Sequence, residues 1–205
     1  SKMKYQQISD NIIICENYLP QQMLNLIKVD LLNNRTRFNL PYWTDSTLNY
    51  YNEKCGGLDY WIENGKPAPP NNEAILGLNK WFYHQGLISF INQSERITVF
   101  KFLERKKLEH LIHVIAYNDG GYYNWHQDSE HFTFNLILTE GNELEGGDML
   151  FMDEGRIIEI PNQNNIMVLI PAFLRHSITP LRSKTGKDVS FPQQRFSIQY
   201  WVKCN

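Results

Sequence analysis

Cysteine is scarce in this chain: Cys15, Cys55 and Cys204 are the only three in 205 residues. An odd number, widely spaced and without a Cys-x-x-Cys pair, gives neither a disulfide framework nor a thiolate zinc site. A reducing compartment, the cytoplasm, is therefore the expected location. Long apolar runs are lacking as well. Ile166-Met167-Val168-Leu169-Ile170 is among the longest, far short of the roughly 20 residues that span a bilayer. The chain begins Ser1-Lys2-Met3 and then turns polar, so neither a secretory leader nor a membrane partner is expected. No charge predominates. Lys and Arg number 20 against 22 Asp and Glu, for a net charge of −2. That disfavours a dedicated nucleic-acid binder, which carries a basic excess, and an acidic disordered chain.

Aromatic residues are abundant, at 13% within a hydrophobic fraction of 42%. Such a chain can build a packed, β-rich core with an aromatic-lined cleft. The length suits one domain over residues 1–205. In this reading residues 1–95 form a helical and loop support and residues 96–205 a β core.

Ile12 to Glu16 reads as a short buried strand. Pro20 opens a helix over Gln21 to Leu32, with Met23, Leu24, Ile27 and Leu31 near the i, i+3, i+4 spacing. Residues 35–72 show no period and close on Lys66-Pro67-Ala68-Pro69-Pro70. They read as a long loop, either a lid or a surface insertion packed down by its aromatics. A second helix is expected over Glu73 to Asn92. From Ile97 the pattern changes to period 2. Candidate strands are Thr98–Leu103, Leu111–Tyr117, Phe132–Leu138, Asp148–Met152, Arg156–Ile160, Ile166–Ile170, Ser177–Leu181 and Arg195–Val202. Glycine-bearing turns separate several of them, as at Asp119-Gly120-Gly121 and Glu154-Gly155. Many short strands behind two helices suggest a mostly β chain with some α, built on a jelly-roll core (a double-stranded β-helix) with supporting N-terminal helices.

Within this frame a few residues could carry chemistry. In an extended segment His126 and Asp128 of His126-Gln127-Asp128 point to one face, and His176 follows a buried-looking strand. Two imidazoles and one carboxylate make the facial set that holds non-haem Fe(II) and leaves half its coordination sphere open. A structural zinc would need a fourth protein ligand, and none stands out. Arg195 opens the alternating stretch Arg195 to Trp201. A guanidinium entering a core strand needs a partner, and a carboxylate ligand held two-pronged would supply one. His84, His110, His113 and His131 read as structural or surface residues. The run Lys101 to Lys107 reads as a solvated turn.

Taken in order, Tyr117-Asn118-Asp119-Gly120-Gly121-Tyr122-Tyr123-Asn124-Trp125-His126-Gln127-Asp128, then Glu145-Gly146-Gly147-Asp148-Met149-Leu150-Phe151, then Pro171 to His176 and Arg195 to Trp201 resemble the Fe(II)- and 2-oxoglutarate-dependent dioxygenases, in particular the prolyl 4-hydroxylase-like branch. The resemblance covers about residues 111–202. It implies His126, Asp128 and His176 as iron ligands and Arg195 as the anchor of the distal carboxylate of 2-oxoglutarate. It also implies Tyr117, Tyr123 and either Asn135 or Thr133 in the cosubstrate pocket, with Trp125 and Tyr122 on the substrate side. The nineteen residues from His176 to Arg195 exceed the family's usual spacing; the hairpin Arg182 to Asp188 accounts for the surplus, and Arg182 is the alternative anchor. The implied activity is hydroxylation of an unactivated C–H bond in a peptide residue or small molecule. Fe(II), 2-oxoglutarate and O₂ would be required, with ascorbate as a companion reductant. An AlkB-like nucleic-acid demethylase would carry a second Arg six residues after Arg195, where Trp201 stands. A zinc hydrolase would leave the Arg and the Gly-Gly turn idle, and a non-catalytic jelly-roll binding protein would need no metal.

Overall fold

A computed structural model describes residues 3–38, 55–61, 73–82, 85–96, 99–104 and 106–204. Among the described residues, three helices, α1 (Gln21–Asn33), α2 (Glu73–Phe82) and α3 (Gln85–Gln93), accompany thirteen strands. These are β1 (Lys4–Ser9), β2 (Ile12–Glu16), β3 (Cys55–Trp61), β4 (Lys106–Tyr117), β5 (Tyr123–His126), β6 (Phe132–Leu138), β7 (Leu144–Gly146), β8 (Met149–Asp153), β9 (Arg156–Ile160), β10 (Ile166–Pro171), β11 (His176–Ile178), β12 (Leu181–Ser183) and β13 (Arg195–Cys204).

A main sheet runs β1-β2-β10-β6-β13-β4-β3, a minor sheet β5-β11-β8-β9, and β12 pairs with β7. In chain order, β4, β5, β6, β8, β9, β10, β11 and β13 fall main, minor, main, minor, minor, main, minor, main. That alternation is the winding of the double-stranded β-helix, so the jelly-roll architecture read from the sequence is present.

Side-chain alternation explains how the main sheet serves two cores. From β6, Phe132, Phe134, Leu136 and Leu138 join Leu24, Ile27, Phe82 and Leu87 of the helices in one cluster. Ile137, with Ile115, Tyr117 and Val168, faces the minor sheet in the other. On β13 the alternation sends Phe196, Ile198, Tyr200 and Val202 to the helices and leaves Arg195, Ser197 and Gln199 buried on the opposite, barrel-facing side.

Helix α1 buries Leu24, Ile27 and Leu31 at i, i+3 and i+7. Asp30, on the same buried stripe, accepts the backbone N–H groups of Ala74 (2.9 Å) and Ile75 (3.1 Å). One helix thus caps the first turn of the next, satisfying donors that α2 cannot satisfy itself. At the hairpin between β8 and β9, Glu154 (φ 51°) and Gly155 (φ 77°) are both left-handed, as a tight two-residue turn requires.

Several expectations are corrected. Thr98–Leu103 is not a strand: Val99–Glu104 forms a 3₁₀ helix. The stretch read as a loop over 35–72 holds a 3₁₀ turn at Arg35–Arg37, followed by Phe38, and strand β3; residues 39–54, including Pro41-Tyr42-Trp43 and Tyr50-Tyr51, and residues 62–72 lie outside the described residues. The helix expected over Glu73 to Asn92 is two helices. Ser177–Leu181 is split into β11 and β12 at Pro180, whose ring nitrogen has no hydrogen to give a ladder. No helix among the described residues is long and apolar enough to cross a membrane.

Candidate metal and cosubstrate site

Strands β5 and β11 pair so that His126 lies opposite His176, and the two ring centroids are 4.1 Å apart. Each ring is fixed in the same way. The Nδ1 of His126 is 2.7 Å from the carbonyl oxygen of Asn124, and that of His176 is 2.8 Å from the carbonyl oxygen of Leu174. A carbonyl can only accept, so both Nδ1 atoms carry a proton, and in the neutral imidazole this leaves Nε2 as the lone-pair donor. These Nε2 atoms lie 3.6 Å (His126) and 3.5 Å (His176) from the two carboxylate oxygens of Asp128. One ligand atom from each of the three residues falls within 4.8 Å of the others. Burial, reinforced by the neighbouring His176, lowers the His126 pKa to about 2. The ring is therefore neutral and able to ligate at ordinary pH.

Asp128 lies in the loop between β5 and β6. Its backbone N–H donates to the carbonyl of Ala172 (3.0 Å), and the N–H of Ala172 donates to His131 (2.8 Å). The loop bearing the carboxylate is thus fastened to the segment that leads into His176. Thr133 of β6 donates from Oγ1 to Asp128 Oδ2 at 2.5 Å.

Arg195 lies on the main sheet, opposite Tyr117 in register, and is 0% exposed. Its Nε donates to Asn162 Oδ1 (3.0 Å), and its guanidinium carbon is 5.1 Å from the centre of the Tyr117 ring, within cation–π range. Gly147 (φ +74°) makes room for it: a Cβ there would fall 2.9 Å from Arg195 Cδ. The pattern Glu145-Gly146-Gly147 thus serves a close approach as well as a turn. Arg182, the alternative anchor, points outward from β12 and is exposed.

Tyr117 is fully buried, and Tyr123 stacks on His126 with centroids 3.5 Å apart. Asn135 faces the barrel, accepts from Ser197 Oγ (2.6 Å) and directs its amide toward Met149 Sδ (3.7 Å). Of the two polar residues expected on this strand, Thr133 reaches Asp128 and Asn135 reaches Ser197. Tyr122 and Trp125 are half-buried; with Tyr123, Asn124 and residues 177–180 they line a hollow of about 280 Å³. His113 is buried and stacks on Trp201, centroids 5.3 Å apart. His131 accepts the backbone N–H of Cys204 (2.8 Å) and stays outside the cluster of His126, Asp128 and His176. His84 and the His110 side chain lie outside what the structure describes.

Sequence reasoning missed Ser197, Gln199 and Asn162. The first two were legible in principle, because Arg195-x-Ser197-x-Gln199 is a period-2 polar stripe inside an apolar strand. Asn162 comes from a loop and leaves no such signal.

Two imidazoles and a carboxylate fit Fe(II), whose remaining positions an α-keto acid and O₂ can take. The glycine-cleared guanidinium fits a distal carboxylate. The sequence family described as the 2OG-Fe(II) oxygenase superfamily matches residues 112–203. No curated protein matches the sequence significantly. Among solved structures, a Pseudomonas putida prolyl-4-hydroxylase superposes with a TM-score of 0.61 at 15% identity, over 95% of this chain and 94% of the other. A Trichoplax adhaerens prolyl hydroxylase, solved with a hypoxia inducible factor oxygen degradation domain peptide, gives 0.67 at 17%, over 96% and 84%. OsALKBH1 gives 0.66 at 10%, over 97% and 100%. At these identities the superpositions show the shared fold. Residues 112–203 thus match the 2OG-Fe(II) oxygenase superfamily, and this match, with the clustered His126, Asp128 and His176, indicates a 2-oxoglutarate-dependent non-haem iron dioxygenase.

Proposed function

We propose that the protein hydroxylates an unactivated C–H bond of a peptide residue or small molecule, with His126, Asp128 and His176 as the iron ligands. The convergence of these three groups from β5, a loop and β11 carries the reading. Iron, with 2-oxoglutarate and O₂, supplies the oxidising power for C–H hydroxylation, coupled to conversion of the cosubstrate into succinate and CO₂. The chain's own residues do the rest. Two imidazoles and one carboxylate would hold the metal from a single side. Arg195, buried from bulk solvent, receives the distal carboxylate of the cosubstrate where a guanidinium–carboxylate pair is strengthened by the low-dielectric surroundings. Tyr117, Tyr123 and Asn135 line the same compartment.

A nucleic-acid substrate is disfavoured by Trp201 at the position of the second Arg and by the net charge of −2. With so few cysteines, a cytoplasmic setting suits the chain.

The test is a succinate-coupled screen over peptide and small-molecule libraries, with mass spectrometry watching for a gain of one oxygen atom. His126→Ala and Asp128→Ala should abolish iron-dependent succinate production while leaving the circular dichroism spectrum unchanged. Full turnover by either variant refutes the assignment.

A further inference from the structure

Thr133 is 1% exposed and stands directly opposite Trp201 on the neighbouring strand. Its hydroxyl has one acceptor, Asp128 Oδ2, at 2.5 Å, in the range of short charge-assisted O–H···O⁻ bonds. Asp128 Oδ1 accepts no hydrogen bond among the described residues. The two oxygens of one carboxylate are therefore unequal. Oδ2 shares its electron density with a proton; Oδ1 keeps its own. The backbone of Asp128 is separately tied to Ala172, just past the end of β10, so main chain and side chain are held from different elements, the segment after β10 and strand β6.

Resting on the ligand reading above, we infer that Thr133 is a positioning residue that commits Asp128 to bind iron through Oδ1 alone. A carboxylate free to swing would grip the metal with both oxygens and close a position that an α-keto acid or O₂ needs. The hydroxyl prevents this from outside the coordination sphere, as hydrogen-bonded neighbours of metal ligands commonly do. The residue type matters. Valine matches threonine in shape and buries as well, but has no donor; serine keeps the donor and loses a methyl group.

Cobalt(II) serves as the probe, because its visible absorption reports coordination number and geometry without turnover. The measurement is a Co(II) titration of the full chain as wild type, Thr133→Val, Thr133→Ser and Asp128→Ala, each first shown by circular dichroism to be folded without metal. The expected result is an apparent Kd for Co(II) raised about 10–100-fold in Thr133→Val, with an altered absorption spectrum, both restored toward wild type in Thr133→Ser. Wild-type affinity and spectrum in Thr133→Val, while Asp128→Ala fails to bind, overturn the role of Thr133 and leave the ligand reading standing. Wild-type binding by Asp128→Ala overturns the ligand reading itself. Equal loss in the Val and Ser variants assigns Thr133 to packing and also overturns the inference.

Discussion

At the scale of single residues, protonation is the property that burial controls most directly. His126 has a folded-state pKa of about 2, against 6.5 for the free side chain. Below the higher value the unfolded chain takes up a proton that the folded chain refuses. This group therefore lowers stability as the pH falls from about 6.5 toward 2 and has no such effect above. Metal-free wild type should lose more melting temperature between about pH 7.5 and about pH 5 than His126→Gln does; an equal loss in the two proteins would place the acid sensitivity elsewhere. Gly147 is the second telling position. A side chain there meets Arg195 Cδ and adopts a left-handed φ, so Gly147→Ala should displace the guanidinium. The expected readout is loss of the melting-temperature rise that 2-oxoglutarate gives with metal present, as in Arg195→Ala. The candidate ligands were legible because His126, Asp128 and His176 sit in an ordered set of neighbouring motifs. The partner of Thr133 was not, because a hydroxyl can reach either a ligand or a cosubstrate from the same strand and only coordinates decide.

Elements declare themselves to the extent that packing agrees with local pattern. β6 alternates between two cores, and its period-2 sequence gave its limits to the residue. The stretch after Thr98 also alternates, yet Phe100 and Leu103 are the buried pair and Lys101 and Phe102 are exposed. A repeat of three is the 3₁₀ repeat, and the second aromatic at Phe102 disguised it. β1 was missed because Lys4-Tyr5-Gln6-Gln7 is polar; it is an edge strand held by register with β2, and only Tyr5 and Ser9 are buried along it. β5 and β7 are so short that the motifs running through them hid them. The link between α1 and α2 had no sequence signature, since Asp30 caps a helix that begins more than forty residues later. Removing that cap in Asp30→Ala should cost about 1 kcal/mol, with Asp30→Asn recovering part of it. Urea denaturation checks this, and an unchanged midpoint would show that water replaces the carboxylate without penalty.

For the molecule as a whole, the helices and the main sheet share one apolar cluster, and the two sheets share another. Phe82 is at the junction of the first, with its ring 5.8 Å from Tyr18, 5.3 Å from Phe134 and 5.6 Å from Tyr200. Phe82→Ala should cost about 3–5 kcal/mol, a large share of the roughly 5–15 kcal/mol that holds a typical domain together. If residues 1–205 behave as one domain, the variant unfolds at lower urea in a single transition seen alike by helix and aromatic signals. Two separated transitions would split the chain.

The candidate metal ligands and the candidate carboxylate anchor also belong to different layers. His126 and His176 stand on the minor sheet, and Arg195 on the main one. A molecule gripped at both ends would span the gap like a rivet. Metal alone would draw on the minor-sheet histidines and the Asp128 loop, and cosubstrate without metal on Arg195 of the main sheet. The two together should raise the melting temperature by more than their separate effects summed, and should slow the parting of the sheets. Saturating the barrel would then make it mechanically stiffer as well as ready to react.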